Sequence, residues 1–513
     1  MEEKELVRTT VFELMDEGDH DKASSLLDDL LAEAESAGED GIEVIAEIAG
    51  CYISVGSESK NEADVRKGLA LFENNKEKIS KYVFDISIDY CIGNAMHALF
   101  KIAISDSTTY ITPQIIKDYL LLSKAAYMRA FKAIDLEHLD DLAIQILNNL
   151  GNELDCAGRV VEALQLYDMV LEYAPDFPYA LMSKANCMEY MMHIANGPKS
   201  VSFYAELYSL YGKVLRTEKL ADVVQRAQAG LSRSKSMLDY YEFDLADLPK
   251  ELETNEEEYQ SHTMYRKFCL DNFLSLSEHG LFCKCYGATL DNLSIGHHGF
   301  VTSDVKIMKL EILLNRLKSE FSLARRMYYH FIEGIDLEDD VFYEEMFIGE
   351  KASIRIEKLR AGFRMCFGIL DKIAKGICYI FNLPVAERES VYFESFWNSK
   401  SSKERWATIN SFNNIHLTAL YSIATDLNVV SGELGVYKEW RNLLEHNIFI
   451  VSESSDDKFG LYAEKDFLNS IDLKTFSAKT KHLLQITRAA IFSYTFCVRY
   501  EIMELDPDKS EVK

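Results

Sequence analysis

Arg441, Asn442, Glu445 and His446 fall within one short stretch, Arg-Asn-Leu-Leu-Glu-His. A guanidinium offers a planar, permanently charged fork for a phosphate. An imidazole moves a proton near neutral pH, and a carboxamide can orient either group. RNA carries its own 2′-hydroxyl nucleophile, so these are the parts with which its phosphodiester could be cleaved without a metal. The stretch lies in a segment, Val436 to Phe449, that reads as a helix anchored by Trp440, Leu443 and Leu444. On such a helix Arg441 and His446 point about 140° apart, whereas Asn442 and His446, at i and i+4, share a face. Arg441 must therefore reach round the helix, or the helix must distort. A plainer reading is also open: an Arg441–Glu445 surface pair, with His446 as a cation at a helix C-terminus.

The elements that would position this stretch are helical. Prolines number 7 and glycines 24 in 513 residues, too few for a chain built on turns, and long runs are rich in Leu, Ala, Glu and Lys. A long amphipathic helix is expected from Ser303, as N-cap, to Phe331, with Leu310, Leu313, Leu314, Leu317, Phe321, Ala324 and Met327 on its apolar face. A second runs from about Lys351 to Phe381, stopping before Pro384; others cover Ile409 to Leu427 and Leu473 to Met503. Asn447 to Tyr462 has two short apolar runs around an acidic stretch, a possible hairpin.

Upstream, Leu150-Gly151, Leu154, Ala163, Tyr167, Val170 and Pro175 have offsets similar to those of the tetratricopeptide repeat. Val11 to Ala34, with Ala23 and Leu27, looks like half of a further unit. Phe243 to His262 is acidic and contains Pro249, which suits a connector. The expected organisation is a helical repeat domain over 1–240, a connector over 241–300, a helical bundle over 301–505 and a tail over 506–513.

Arg441, Asn442 and His446, on a late helix of a bundle, resemble the motif of the HEPN superfamily, which includes RNases of defence and toxin systems. An N-terminal tetratricopeptide-like array fused to such a bundle resembles a bacterial defence-associated HEPN subfamily. The resemblance implies an all-α protein and an endoribonuclease with RNA as substrate. It also implies a homodimer in which two motifs make one composite site, with no cofactor or metal. Arg441 would then neutralise the scissile phosphate, His446 would act as general base or acid, Asn442 would orient His446 or contact the phosphate, and Glu445 would support Arg441. The other reading from the sequence is a non-catalytic helical interaction module or nucleotide-binding partner protein.

Charge bears on the choice. The formal charge of −28 opposes polyphosphate binding in general. Residues 1–300, however, hold 27 Lys and Arg against 51 Asp and Glu, whereas residues 301–513 hold 28 against 32. The acidity belongs to the part expected to carry the array, where a protein or peptide ligand would bind, and the part carrying His446 is nearly neutral. The ten scattered cysteines read mostly as reduced core residues. With no signal peptide and no apolar run near the length of a membrane span, a cytoplasmic location with no membrane contact is expected. His279, Cys283, Cys285, His297 and His298 have zinc-ligand chemistry, but the common Cys-x2-Cys spacing is missing and core packing is the stronger expectation. Trp397 to Trp406 interleaves Lys400, Lys403 and Arg405 between aromatics, either to touch single-stranded RNA or, as expected, to dock on the bundle.

Overall fold

The computed structural model describes residues 2–106, 108–136, 138–194, 200–296, 305–335, 342–345, 350–398, 400, 402–452 and 468–504. The fold is all-α, and the chain divides into two compact units, residues 1–157 and 158–513.

The first unit contains α1 (Glu2–Asp16), α2 (His20–Ser36), α3 (Ile42–Ser59), α4 (Glu62–Ile79), α5 (Asp85–Ala103), the single turn α6 (Pro113–Ile116), α7 (Leu120–Lys132) and α8 (Asp141–Cys156). Most of its longer helices pack on their neighbours in the chain, because the connections are short and each helix has one apolar face to bury. Val11, Ala23, Leu27, Ile48, Tyr52 and Val65 are fully buried in this core. Gly68 lets α3 and α4 touch: a Cβ there would stand 2.5 Å from the carbonyl oxygen of Ala49.

In the second unit α9 (Val160–Tyr173), α10 (Pro178–Met192), α11 (Val201–Thr217) and α12 (Ala221–Tyr240) also pack in succession. Then come α13 (Leu248–Ser261), α14 (Met264–Asp271), α15 (Val305–Glu333), β1 (Phe342–Glu345), β2 (Glu350–Ser353), α16 (Ile354–Ile380), α17 (Lys403–Ile409), α18 (Ile415–Asp426), α19 (Gly435–His446), β3 (Ile448–Ser452), β4 (Leu468–Asp472) and α20 (Leu473–Glu504). Helices α15, α16 and α20 form the bundle, with α18 laid on α20 and α19 on α16. Most of the apolar face expected on α15 is buried: Leu310, Leu314, Leu317, Phe321 and Ala324 are at most 2% exposed, whereas Leu313 and Met327, at its edge, are half-buried.

Two boundaries differ from the periodicity reading. Helix α16 starts at Ile354, where Ser353 caps it by accepting from the N–H of Ile356 at 3.3 Å, because the preceding residues pair antiparallel as β1 and β2. The Val436–Phe449 helix ends at His446, and the apolar run after it is β3. Its partner is β4 in parallel register, Ile448 opposite Leu468, and not the next apolar run as in a hairpin. The expected cap Ser303 and the second run, up to Tyr462, lie outside the described residues. Among the described residues no helix is long and apolar enough to cross a membrane.

The expected connector 241–300 holds α13, α14 and a stretch, 272–295, gripped by three buried arginines. Arg325 of α15 makes a forked pair with Asp291 (Nη1–Oδ1 3.1 Å, Nη2–Oδ2 2.6 Å) and donates to the carbonyl of Leu274 at 2.6 Å. Arg488 of α20 donates to the carbonyl of Ser275 at 2.7 Å. Arg499 of α20 donates to the carbonyl of Ser294 through Nε at 3.0 Å and pairs with Glu278. All three are 1–2% exposed. Burial, with Arg325 adding, lowers the Arg488 guanidinium to about 9. Asp291, by contrast, lies below its ordinary value: burial opposes ionisation, but the bonds from Arg325 and the N–H of Leu276 outweigh it.

Arg325→Met should cost up to about 3 kcal/mol of stability, because it leaves the Asp291 carboxylate with only its longer, 3.4 Å pair to Arg266. The double variant Arg325→Met/Asp291→Asn should lose clearly less than the sum of the singles. Denaturant titrations of the four forms measure this, and strict additivity would contradict the pairing.

His416 in α18 is fully buried against the rings of Tyr190 and Phe496, and neither ring nitrogen has a hydrogen-bond partner. Burial, with the charge of Arg499 adding, lowers its pKa from 6.5 to about 3. Between those values the unfolded chain binds the extra proton, so stability falls as pH drops below about 6.5, by roughly 1.4 kcal/mol per unit. Between pH 7 and pH 5, wild type should therefore lose about 2 kcal/mol more than His416→Leu. Equal losses in urea titrations at the two pH values would rule this out.

Candidate functional site

The turn into α19 is set by close backbone packing. A Cβ on Gly432 would stand 2.2 Å from the carbonyl oxygen of Asp426, and one on Gly435 would stand 2.5 Å from that of Asn428. The Asn428 side chain accepts from the N–H groups of Val430 (3.0 Å) and Ser431 (3.1 Å), and Leu434 N–H bonds back to Asp426 at 2.8 Å. Asp426 is itself held by Arg159 at 2.5 Å. The chain therefore leaves α18 and enters α19 along one fixed path.

An aromatic cluster then holds α19 down. Trp440 lies 6.2 Å from Phe363 of α16, 5.9 Å from Phe476 of α20 and 6.2 Å from Phe449 of β3, between ring centroids. Phe363 and Phe476 are themselves 5.2 Å apart. Tyr437 is buried beside them, with its hydroxyl 2.8 Å from Nδ1 of His482, and Leu444 extends the buried face by two turns. Phe449 joins because β3 follows His446 after a single residue.

The polar groups surround this buried face: Arg441, four residues after Tyr437, borders it, and His446 points away from it. Arg441 and Asn442 are half-buried, and Nη1 of Arg441 donates to Oδ1 of Asn442 at 3.2 Å. Both Glu445 and His446 are exposed, and His446 is the last residue of the helix. Glu445 lies 3.9 Å from Arg364 of α16, not against Arg441. The structure thus brings Arg441 and Asn442 into contact, leaves His446 at the open end of the helix, and adds a second guanidinium across from Glu445.

Behind Arg441 is a set of charges that sequence reading did not find. Asp371 of α16 accepts from the N–H of Phe393 at 2.9 Å, and Lys438 pairs with Glu394 at 2.5 Å. Burial raises the Asp371 carboxyl above its ordinary value, and Glu394 adds to this. The Phe393 N–H, Lys438 and Arg441 act the other way. Asp371 is half-buried, and Arg441 is the weakest of these influences on it. Arg364 and Asp371 are seven residues apart, two turns of the predicted helix, which is the signal that could have joined them.

The other candidate features fall elsewhere. Trp397 and Arg405 are buried, and Arg405 pairs with Glu389 at 2.6 Å, so that stretch is docked on the bundle. Nδ1 of His279 stands 3.9 Å from Sγ of Cys285, while His297 and His298 lie outside the described residues. Among the described residues, no three His, Cys, Asp or Glu side chains are arranged to hold a metal.

Residues 301–501 match the family model described as LA2681-like HEPN, which supports placing this part of the chain in the HEPN superfamily. The match spans the bundle and the whole of α19. No curated protein and no solved structure matches the chain.

Phe476→Ala should cost about 3–5 kcal/mol, as for other emptied aromatic core positions. Glu445→Ala should change stability by less than about 1 kcal/mol, since its pair is exposed. Thermal unfolding of the two variants tests whether the aromatic cluster or the surface pair holds α19.

Proposed function

We propose that this protein is a metal-independent endoribonuclease of the HEPN type. The observation that carries the proposal is the contact of Arg441 with Asn442 beside an exposed His446, on a helix within the segment that matches the family. In this reading Arg441 grips the scissile phosphate, and Asn442 keeps the guanidinium in place. His446 takes the proton from the 2′-hydroxyl or supplies one to the leaving 5′-oxygen. Asp371 and Glu445 act indirectly, through Arg441 and Arg364. Charge stabilisation and proton transfer together are the terms such a cleavage needs.

One α19 offers a single imidazole, so acid and base roles call for two copies. The working form is accordingly a homodimer through the C-terminal bundle. The helices of residues 1–240 serve as a tetratricopeptide-like array that binds a protein or peptide partner. This fits the burial of Leu150, Gly151 and Leu154 within α8 and of Ala163, Tyr167 and Val170 within α9. A cytoplasmic effector of antiviral defence or of toxin type is the role such a combination would fill.

Purified wild-type protein should cleave RNA in EDTA, leaving 2′,3′-cyclic or 3′-phosphate and 5′-hydroxyl ends. His446→Ala should lose at least about a hundredfold in rate, with unchanged circular dichroism. Arg441→Lys should be severely impaired, because an ammonium lacks the planar fork. Undiminished cleavage by His446→Ala would show α19 to be only a structural helix. Cleavage that requires Mg²⁺ would overturn the mechanism, and a fully active monomer in light scattering would exclude the composite site.

A further inference from the structure

The stretch gripped by the buried arginines carries a second group of reactive side chains. Cys283 and Cys285 flank Lys284. The N–H of Cys283 donates to the carbonyl of His279 at 2.8 Å, closing a turn that brings all three side chains to one place. The N–H of Cys285 donates to Sγ of Cys283 at 3.2 Å, and Sγ of Cys285 lies 3.9 Å from Nδ1 of His279. Both thiols are half-buried, so solvent reaches them, and Lys284 and Tyr286 beside them are exposed.

The two thiols are unequal. The neighbouring Cys283 thiol, with His279 adding, holds Cys285 well below the ordinary thiol range. Cys283 is raised by its nearness to Cys285, by burial, and more weakly by Glu206. Elsewhere burial pushes thiols up, Cys51 and Cys91 to about 12 and Cys156 to about 11. A ready thiolate beside a protonated thiol is the arrangement of an attacking and a resolving cysteine.

We propose that Cys283 and Cys285 are a peroxide-reactive dithiol that closes reversibly to an intramolecular disulfide. The Cys285 thiolate attacks one oxygen of hydrogen peroxide, and the O–O bond breaks. Cys285 becomes a sulfenic acid, and the departing hydroxide takes a proton to become water. Cys283 then gives up its proton, and its sulfur attacks that of Cys285. The S–O bond breaks, the second hydroxide leaves as water with that proton, and the S–S bond forms. Two thiols lose two electrons and two protons, and one peroxide becomes two waters. A small dithiol reverses the change by exchange. The disulfide lies between Glu278, held by Arg499, and Asp291, held by Arg325, so oxidation acts on the stretch that the buried arginines hold.

Trypsin makes the test direct, because it cuts after Lys267, Lys284 and Lys306 and so separates Cys285 from Cys283. The full-length protein is treated with a slight excess of hydrogen peroxide, blocked with iodoacetamide, digested and weighed by mass spectrometry. Peptides 268–284 and 285–306 should be found joined after peroxide and separate after dithiothreitol. Before oxidation, Cys285 should be alkylated at pH 6 about tenfold or more faster than any other cysteine. In Cys283→Ser the joined species should vanish and dimedone should trap a sulfenic acid on Cys285. Three results would each overturn the proposal: separate peptides in oxidised wild type, unexceptional alkylation of Cys285, or a joined species persisting in Cys283→Ser. The last would place the bond on Cys269, which shares the first peptide. The wild-type measurements need no variant to fold.

Discussion

The second unit depends on guanidinium groups buried against main-chain carbonyls. Residues 272–295 contain little regular structure, so their backbone polar groups cannot satisfy one another as those of a helix do. Arg325, Arg488 and Arg499 provide donors from the flanks of α15 and α20, and Asp291 and Glu278 balance two of the three charges. Arginine suits this task for two reasons. Its fork reaches several acceptors at once, and burial does not readily strip its proton, as it would from lysine. The cost is visible at Arg488, whose Nη2 has no hydrogen-bond partner among the described residues and which has no carboxylate directly on it.

That constraint reaches the candidate site through the bundle. Helix α20 carries Arg488 at its middle, Arg499 near its C-terminal end and Phe476 near its N-terminal end, and Phe476 is a floor on which Trp440 of α19 rests. Helix α16 contributes Phe363 to the same floor, together with Arg364 and Asp371 to the polar surroundings of Arg441 and Glu445. The reactive face of α19 is thus positioned by aromatic packing below it and by charges arriving from a different helix. Few of its contacts are local in sequence.

This explains what could be read from the sequence and what could not. The helices α15, α16 and α20 were legible because a buried stripe repeats every 3.6 residues, and α15 buries five of the seven side chains that pattern selected, leaving Leu313 and Met327 half-buried. The stretch Arg441 to His446 was legible as chemistry because its residue types are unusual together. The end of α19 was not, because Ile448–Ser452 becomes a strand only when Leu468–Asp472 is there to pair with it. Glu445 invited pairing with Arg441 four residues back, yet Arg364 meets it across the helix interface. Arg325, Arg488 and Arg499 were not singled out, since nothing local marks an arginine that will be buried. Cys283 and Cys285 were visible as a pair, but their inequality depends on a turn that brings His279 up to one sulfur.

The parallel ladder of β3 and β4 has a consequence of its own. It ties the chain one residue after His446 to the residues that run directly into α20, over a register of five pairs from Ile448–Leu468 to Ser452–Asp472. Leu473 opens α20 immediately after Asp472, so the ladder couples the end of α19 to the start of α20. A displacement of α20 along its axis would pull on the strand that follows His446, a mechanical link between the bundle and the candidate site.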